Sequence, residues 1–370
     1  MFTKWIEGKI NIRIIIISAL IALFSLLLIS IFSSRTEHPA YKNQIKAAQK
    51  MKLAEEKIYQ IKIDQGYQID TALDPNKTAL IGKEYTPITT TLGNLKAKRT
   101  ATNPDFAALI IRYFDQLNLK KGDKIAVGAS GSFPGLILAV ISAAETINLD
   151  VELIYSIGAS MYGANIPDFT FIEMLNQLQK YNILKTKITA ISFGGDNDRA
   201  DNLFFIENKD SFFEISKKSN LPLIYEATLN ESIEQRIEVF KNNSPNKKIK
   251  AFINIGGASA NFGNTTSSVK FENGLTIPGK LNTEYAKNGL ISHFLSKNIP
   301  IIHLLNIENL ARKSGIKVDP VPLPEPGKAD VYYIVKHNKN LILLMIIIIN
   351  FPLFSAIFRK LPHYLYFSRP

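Results

Sequence analysis

KIAVGASGSFPGLILAVISAAETINLDVELIYSIGASMYGANIPD, residues 124–168, decides the fold. It opens on a short apolar run at 125–129 and passes into a loop of small residues at 128–135. An apolar helix follows from Gly135 through Glu145. A second apolar run at 151–157 ends in a similar loop at 158–163. Two apolar strands joined by a helix within about 30 residues make a βαβ unit. Both Gly/Ser loops then fall at the carboxyl edge of the sheet, where open α/β sheets place their sites.

The alternation continues downstream. Helices are expected at 168–181, 201–219, 232–242, 284–296 and 308–314, and strands at 188–193, 223–225, 250–255 and 300–305, with a hairpin-like insert at 269–280. The pattern predicts an α/β domain at 101–317 with a mainly parallel, Rossmann-like sheet of about six strands and flanking helices. Upstream, Asn103 and Pro104 read as the N-cap and first position of a helix with Phe106, Leu109, Ile110 and Tyr113 on its apolar face. Residues 33–100 read as a helical stalk or cover followed by an irregular approach. The four prolines of VDPVPLPEPG at 318–327 read as a stiff tether, 318–340.

Two stretches carry no charge: IIIISALIALFSLLLISIF at 14–32 and LILLMIIIINFPLFSAIF at 341–358. Each is long enough to cross the hydrocarbon core of a membrane, about 30 Å thick. Lys4, Lys9 and Arg13 precede the first, and Arg359, Lys360 and Arg369 follow the second. Basic flanks favour the cytoplasmic side, so two transmembrane helices are expected, one N-terminal and one C-terminal. The termini, 1–13 and 359–370, are then cytoplasmic and the main domain lies outside. The chain has no cysteine, which excludes disulfides, thiolate metal sites and cysteine nucleophiles. Its net charge of +12 leaves about +7 between the flanks. That suits a polyanion or an anionic lipid. No nucleic-acid motif is present, and nucleic acid is not expected as a partner.

The loop at 128–135 resembles a phosphate cradle, but its glycines match neither G-x-G-x-x-G nor the P-loop. Ser130 and Ser132 are candidate nucleophiles, yet neither sits in G-x-S-x-G. Their loop equally allows close strand–helix packing. Of the five histidines only His293 and His303 fall well inside the α/β region, and each reads as an ordinary buried or surface histidine. A Ser–Lys arrangement stays open, with many lysines competing. Asp196 and Asp198 in GGDND are weak candidates for an oxygen-bound cation, or an Asp-rich turn. No metal site and no cofactor is expected. Because each follows a strand, Gly128, Ser130, Gly131, Ser132, Gly135, Ser160, Asp196, Glu226, Gly256, Gly257 and Ser259 are expected to converge on one crevice.

The segments GASGSFPGLILAVISAAE (128–145), GASMYGANIPDFTFIEM (158–174) and FINIGGASANFGN (252–264), together with the N-terminal anchor, resemble the bacterial poly-gamma-glutamate system protein family. The resemblance covers most of the exported domain. It implies an accessory component, in the bacterial cytoplasmic membrane, of the machinery that makes or exports the anionic capsule polymer poly-gamma-glutamate. Its partners would be the polymer, the membrane and other capsule synthesis or export subunits. It implies no characterised reaction and transfers no catalytic residue. The chain resembles neither the ATP-dependent ligase of such systems, having no Walker A motif, nor their metallophosphatase-like component. A non-catalytic role is therefore expected. The alternative is an extracytoplasmic serine-type hydrolase or transferase acting on the polymer through Ser130 or Ser132.

Overall fold

The computed structural model describes residues 12–201, 209–242, 247–263, 271–279 and 289–358. Lys4, Lys9, Arg359, Lys360, Arg369 and His363 lie outside them, as do parts of the helices expected at 201–219 and 284–296 and of the insert at 269–280. In chain order the elements are α1 (Ile12–Ile31), β1 (Ser34–Glu37), α2 (Tyr41–Asp64), β2 (Thr89–Thr91), α3 (Leu95–Ala101), α4 (Asp105–Gln116), β3 (Lys124–Ser130), α5 (Pro134–Thr146) and β4 (Asp150–Ser156). Then come β5 (Ala159–Ser160), α6 (Phe171–Lys180), β6 (Ile188–Ser192), α7 (Lys209–Ser219), β7 (Leu223–Ile224), α8 (Leu229–Asn242), β8 (Ile249–Ile255) and α9 (Ser259–Phe262). The last are β9 (Gly274–Thr276), α10 (Leu290–Ser296), β10 (Ile301–Leu304), α11 (Ile307–Lys313), β11 (Tyr333–Lys336) and α12 (Lys339–Phe358). They form two compact units, Pro39–Tyr332 and a second made of Met1–His38 with Tyr333–Pro370.

The larger unit is α/β, built on a seven-stranded sheet of order β7-β6-β4-β3-β8-β10-β9. All neighbours are parallel except β9, which runs antiparallel to β10 at one edge. The six expected strands are present, and the insert supplies the seventh. All seven residues of β3 are buried, as the centre of a sheet covered on both faces requires. From β3 the chain steps outward through β4, β6 and β7, then returns to lay β8 and β10 on the other side. The strand order therefore reverses between β3 and β8, the place where a doubly wound sheet opens a crevice.

Helix α5 is buried from Pro134 through Ala144, so it is a core helix with no polar face. It packs against α2 and α4. Ala47, Ala48, Met51, Ala54 and Ile58 repeat at helical spacing and are fully buried. That small-residue stripe lets α2 lie close on the domain. Gln44 of α2 donates to the carbonyls of Ala108 (3.1 Å) and Val331 (2.9 Å). Helix α2 is thus a cover over the sheet's helices and not a stalk, and the α/β unit starts well before residue 101. Helix α4 begins one residue later than expected, with Pro104 in the N-cap position, and Asn103 Oδ1 accepts from the Asp105 N–H at 3.0 Å just before it.

The proline-rich segment is not a free tether. Asn76 donates to the Pro320 carbonyl (2.8 Å), Arg99 grips Asp319 through Nε (2.7 Å) and Nη2 (2.5 Å), and Lys52 pairs with Glu325 (2.8 Å). Val331 and Tyr332 are fully buried. The prolines fix an extended path, but the polar groups between them find partners on α2, α3 and the loop after α2.

In the second unit β1 and β11 pair antiparallel from Ser34↔Lys336 to Glu37↔Tyr333. Arg35 stacks on the Tyr333 ring at 3.9 Å. Helix α1 is long and apolar enough to cross a membrane by length and composition. Helix α12 is also apolar, with Pro352 inside it. The two helices pack on each other.

Candidate functional site

The strand ends at the reversal point are polar, and they align. Ser130 of β3 is in register with Ser156 of β4, and Ser156 with Ser192 of β6. On the other side Gly128 is in register with Asn254 of β8, and Asn254 with His303 of β10. Burying hydroxyls, amides and an imidazole at the end of an apolar sheet is costly unless they are hydrogen-bonded. Three networks do this.

The first holds the serine loops. Ser130 Oγ donates to Ser132 Oγ (2.9 Å), and Ser132 Oγ accepts the Ser160 N–H (3.0 Å). The Ala164 N–H donates to the Gly131 carbonyl (2.8 Å), tying the two loops together. Lys98 of α3 enters this cluster from outside the βαβ unit. Its Nζ is 2.6 Å from Ser160 Oγ, also donates to the Ser132 carbonyl, and lies 4.0 Å from the centre of the Phe133 ring. Lys98 is 3% exposed. Burial pushes its ammonium down to about 7, with no charged neighbour contributing. The serines are slightly open, at 6–8%.

The second network is a buried ion pair. Arg236 of α8 binds the Asp198 carboxylate through Nε (3.0 Å) and Nη2 (2.7 and 2.9 Å), and Nη2 also reaches Ser192 Oγ (2.5 Å) and Ser156 Oγ (3.1 Å). Ser192 and Ser232 donate to the same carboxylate at 2.8 and 2.6 Å. Asp198 thus spends both oxygens on protein donors, which leaves neither open to a cation. Asp196 faces Asp201 in an isolated bridge. Among the described residues no group of three or more acidic or histidine side chains is placed to hold a metal.

The third network joins Asn254 Nδ2 to His303 Nδ1 (2.9 Å) and Asn261 Nδ2 to Asn254 Oδ1 (2.5 Å) and the Gly128 carbonyl (3.1 Å). Burial pushes His303 down to about 4. The imidazole is neutral and bound to an amide, so it serves no serine.

The expected crevice residues therefore divide. Ser130, Gly131, Ser132 and Ser160 come together. Gly256, at φ +83°, turns the chain beside Ser130, where an added Cβ would sit 3.2 Å from the Ser130 Cβ. Gly135 lets α5 approach the Ala101 carbonyl so closely that an added Cβ would collide with it. Ser259 donates to the Gly195 carbonyl (2.8 Å), linking the β8 and β6 loops. Gly257 is exposed, and a Cβ there would meet open space. Glu226 presents its carbonyl to Arg199 (2.6 Å) at the β7 edge, away from the serine cluster's own bonds.

Sequence reasoning missed Lys98, Arg236, Asn254 and Asn261. Lys98 had one usable signal: Leu95, Lys98 and Ala101 recur at a spacing of three, which puts Lys98 on the inward face of α3. No family model, curated protein or solved structure matches this chain.

Proposed function

We propose that the protein is a membrane-anchored accessory component of poly-gamma-glutamate assembly or export in the bacterial cytoplasmic membrane. Helices α1 and α12 span the membrane, both termini are cytoplasmic, and Pro39–Tyr332 lies outside, contacting the polymer or partner subunits. The observation that carries the anchoring is the surface of the helix pair. Among the described side chains of the pair only Ser18 and Ser25 of α1 and Met345 of α12 are buried, while Leu20, Leu23, Leu26, Leu343 and Phe351 stand 61–69% exposed. Water does not tolerate an apolar surface of that extent, and lipid suits it. Small polar residues between the helices fit close packing in a bilayer. The antiparallel β1–β11 ladder closes a chain that leaves and re-enters on one side. The polymer assignment is supported by the resemblance of the three Gly/Ser segments and by the net charge of about +7 between the membrane flanks, which attracts a polycarboxylate.

Two measurements test it. A reporter fused after Pro370 should be active only inside the cell, and activity only outside overturns the topology. The full-length protein in detergent should bind poly-gamma-glutamate with an affinity that falls steeply with salt. Salt-insensitive binding, or none, overturns the polymer contact.

A further inference from the structure

Lys98 is a buried amine without a carboxylate partner among the described residues, and its nitrogen is at hydrogen-bond distance from a serine hydroxyl. An ammonium held so is costly. Burial brings the neutral amine into reach near neutral pH, and a neutral amine beside a hydroxyl is a general base. We propose that Ser160 and Lys98 form an acyl-transfer dyad, Ser160 the nucleophile and Lys98 the base, acting on an acyl compound that carries negative charge.

The substrate class comes from the adjoining surface. Phe133, whose ring meets Lys98, also lines a cleft of about 540 Å³ between α3 and α11. Arg312 lines it too and is 64% exposed at its side chain, and Lys96 beside it is 48% exposed. The carboxylate between them is Glu308, 3.3 Å from Lys96 and 3.8 Å from Arg312. Two cations against one anion favour an acidic guest. Rotation of Phe133 off Lys98 would open the path from this cleft to Ser160, which is 7% exposed in the present conformation.

The chemistry needs no cofactor. Ser160 Oγ attacks the carbonyl carbon of an amide while its proton passes to Lys98 Nζ. The C–N bond breaks, Lys98 returns the proton to the leaving amine, and an ester remains on Ser160. Water then attacks the ester, giving its proton to Lys98. The C–Oγ bond breaks, and the proton returns to Ser160, leaving a free carboxylic acid. An acceptor amine in place of water gives transfer.

The dyad does not depend on which polymer or partner the protein serves, so it is tested with a serine-reactive fluorophosphonate on the full-length protein in detergent. Peptide mapping should find the adduct on Ser160. Ser160→Ala should abolish it, while Ser130→Ala should leave it in place. Lys98→Arg keeps the charge but cannot act as a base, and should slow labelling about 100-fold or more. The wild-type rate should rise with pH through a midpoint near 7. No adduct on the folded wild-type protein overturns the dyad, as does an adduct on Ser130 or Ser132 alone, or a flat pH profile. The wild-type readings do not depend on how any variant folds.

Discussion

Asp198→Asn isolates the charge of the most deeply buried ion pair. Asp198 sits at φ +61°, a left-handed conformation that asparagine adopts with little penalty, so the substitution keeps shape and backbone while removing the anion. Arg236 is 0% and Asp198 1% exposed, and the guanidinium is left facing Ser156, Ser192 and a neutral amide. Stranding one partner of a buried pair costs about 3–5 kcal/mol. For a chain of this size that lowers Tm by about 4–6 °C, measured by near-UV circular dichroism on the full-length protein in detergent. Adding Arg236→Met removes the stranded charge, so the double variant should be less destabilised than the two single variants summed, by about 2 kcal/mol. A single variant melting within about 2 °C of wild type, or simple additivity, would show that the pair is not the element locking β4, β6 and α8 together.

Two buried groups should pull stability in opposite directions with pH. Burial raises the Asp105 carboxyl to about 6, while Tyr332 donates to it at 2.7 Å. Its contribution is complete below about 4 and lost as pH rises through 6, amounting to about 3 kcal/mol. His303, lowered to about 4, contributes fully above about 6.5 and loses that as pH falls, by a similar amount. Asp105→Asn should therefore gain Tm relative to wild type between pH 4.5 and 7, and a difference independent of pH would refute this. Gly135→Ala, driven against the Ala101 carbonyl, should cost about 1–3 kcal/mol, read as a lowered urea midpoint. Arg99→Ala releases Asp319 and should cost about 1 kcal/mol, since both side chains keep some contact with water (22% and 15% exposed). It should also speed proteolytic cleavage within 318–327, and unchanged cleavage would mean that the prolines alone hold the segment.

The strands were legible because each is a short apolar run, and the four central ones, β3, β4, β6 and β8, end in or just before Gly or Ser, so the six expected runs fell near their observed bounds. The edge strand β9 was not, because Gly274–Thr276 is three residues long and its pairing depends on β10. The true start and end of the α/β unit were also hidden. Helix α2 reads as charged and half-amphipathic until α5 is known to be apolar all round and in need of a second cover. The prolines at 318–327 read as stiff, and stiffness says nothing about what lies alongside. For the site, the loops could be named from local sequence, but their partners come from afar. Lys98 is 62 positions from Ser160 and Arg236 is 38 from Asp198. Only the tertiary packing of the elements brings them together.

The reversal of strand order explains where the polar cost of the fold is concentrated. A sheet covered on both faces by helices could end every strand in apolar residues, yet here Ser130, Ser156, Ser192, Asn254 and His303 form the carboxyl-side rows. Two of the three networks built on them are closed by side chains from neighbouring helices, Arg236 from α8 and Asn261 from α9, and these read as bracing. Arg236 keeps an unpartnered Nη1 and His303 an unpartnered Nε2, each a further cost of burial. The serine network differs from both: its helix-borne partner is an amine that burial drives toward the neutral form, and its hydroxyls are the ones still reached by solvent. Part of this polarity serves the fold: Lys98 satisfies the buried Ser132 carbonyl, and Ser132 Oγ satisfies the buried Ser160 N–H. What sets this corner apart is a buried amine that burial drives toward the neutral form, held against a hydroxyl beside a basic cleft, and that directs the search for chemistry to Ser160.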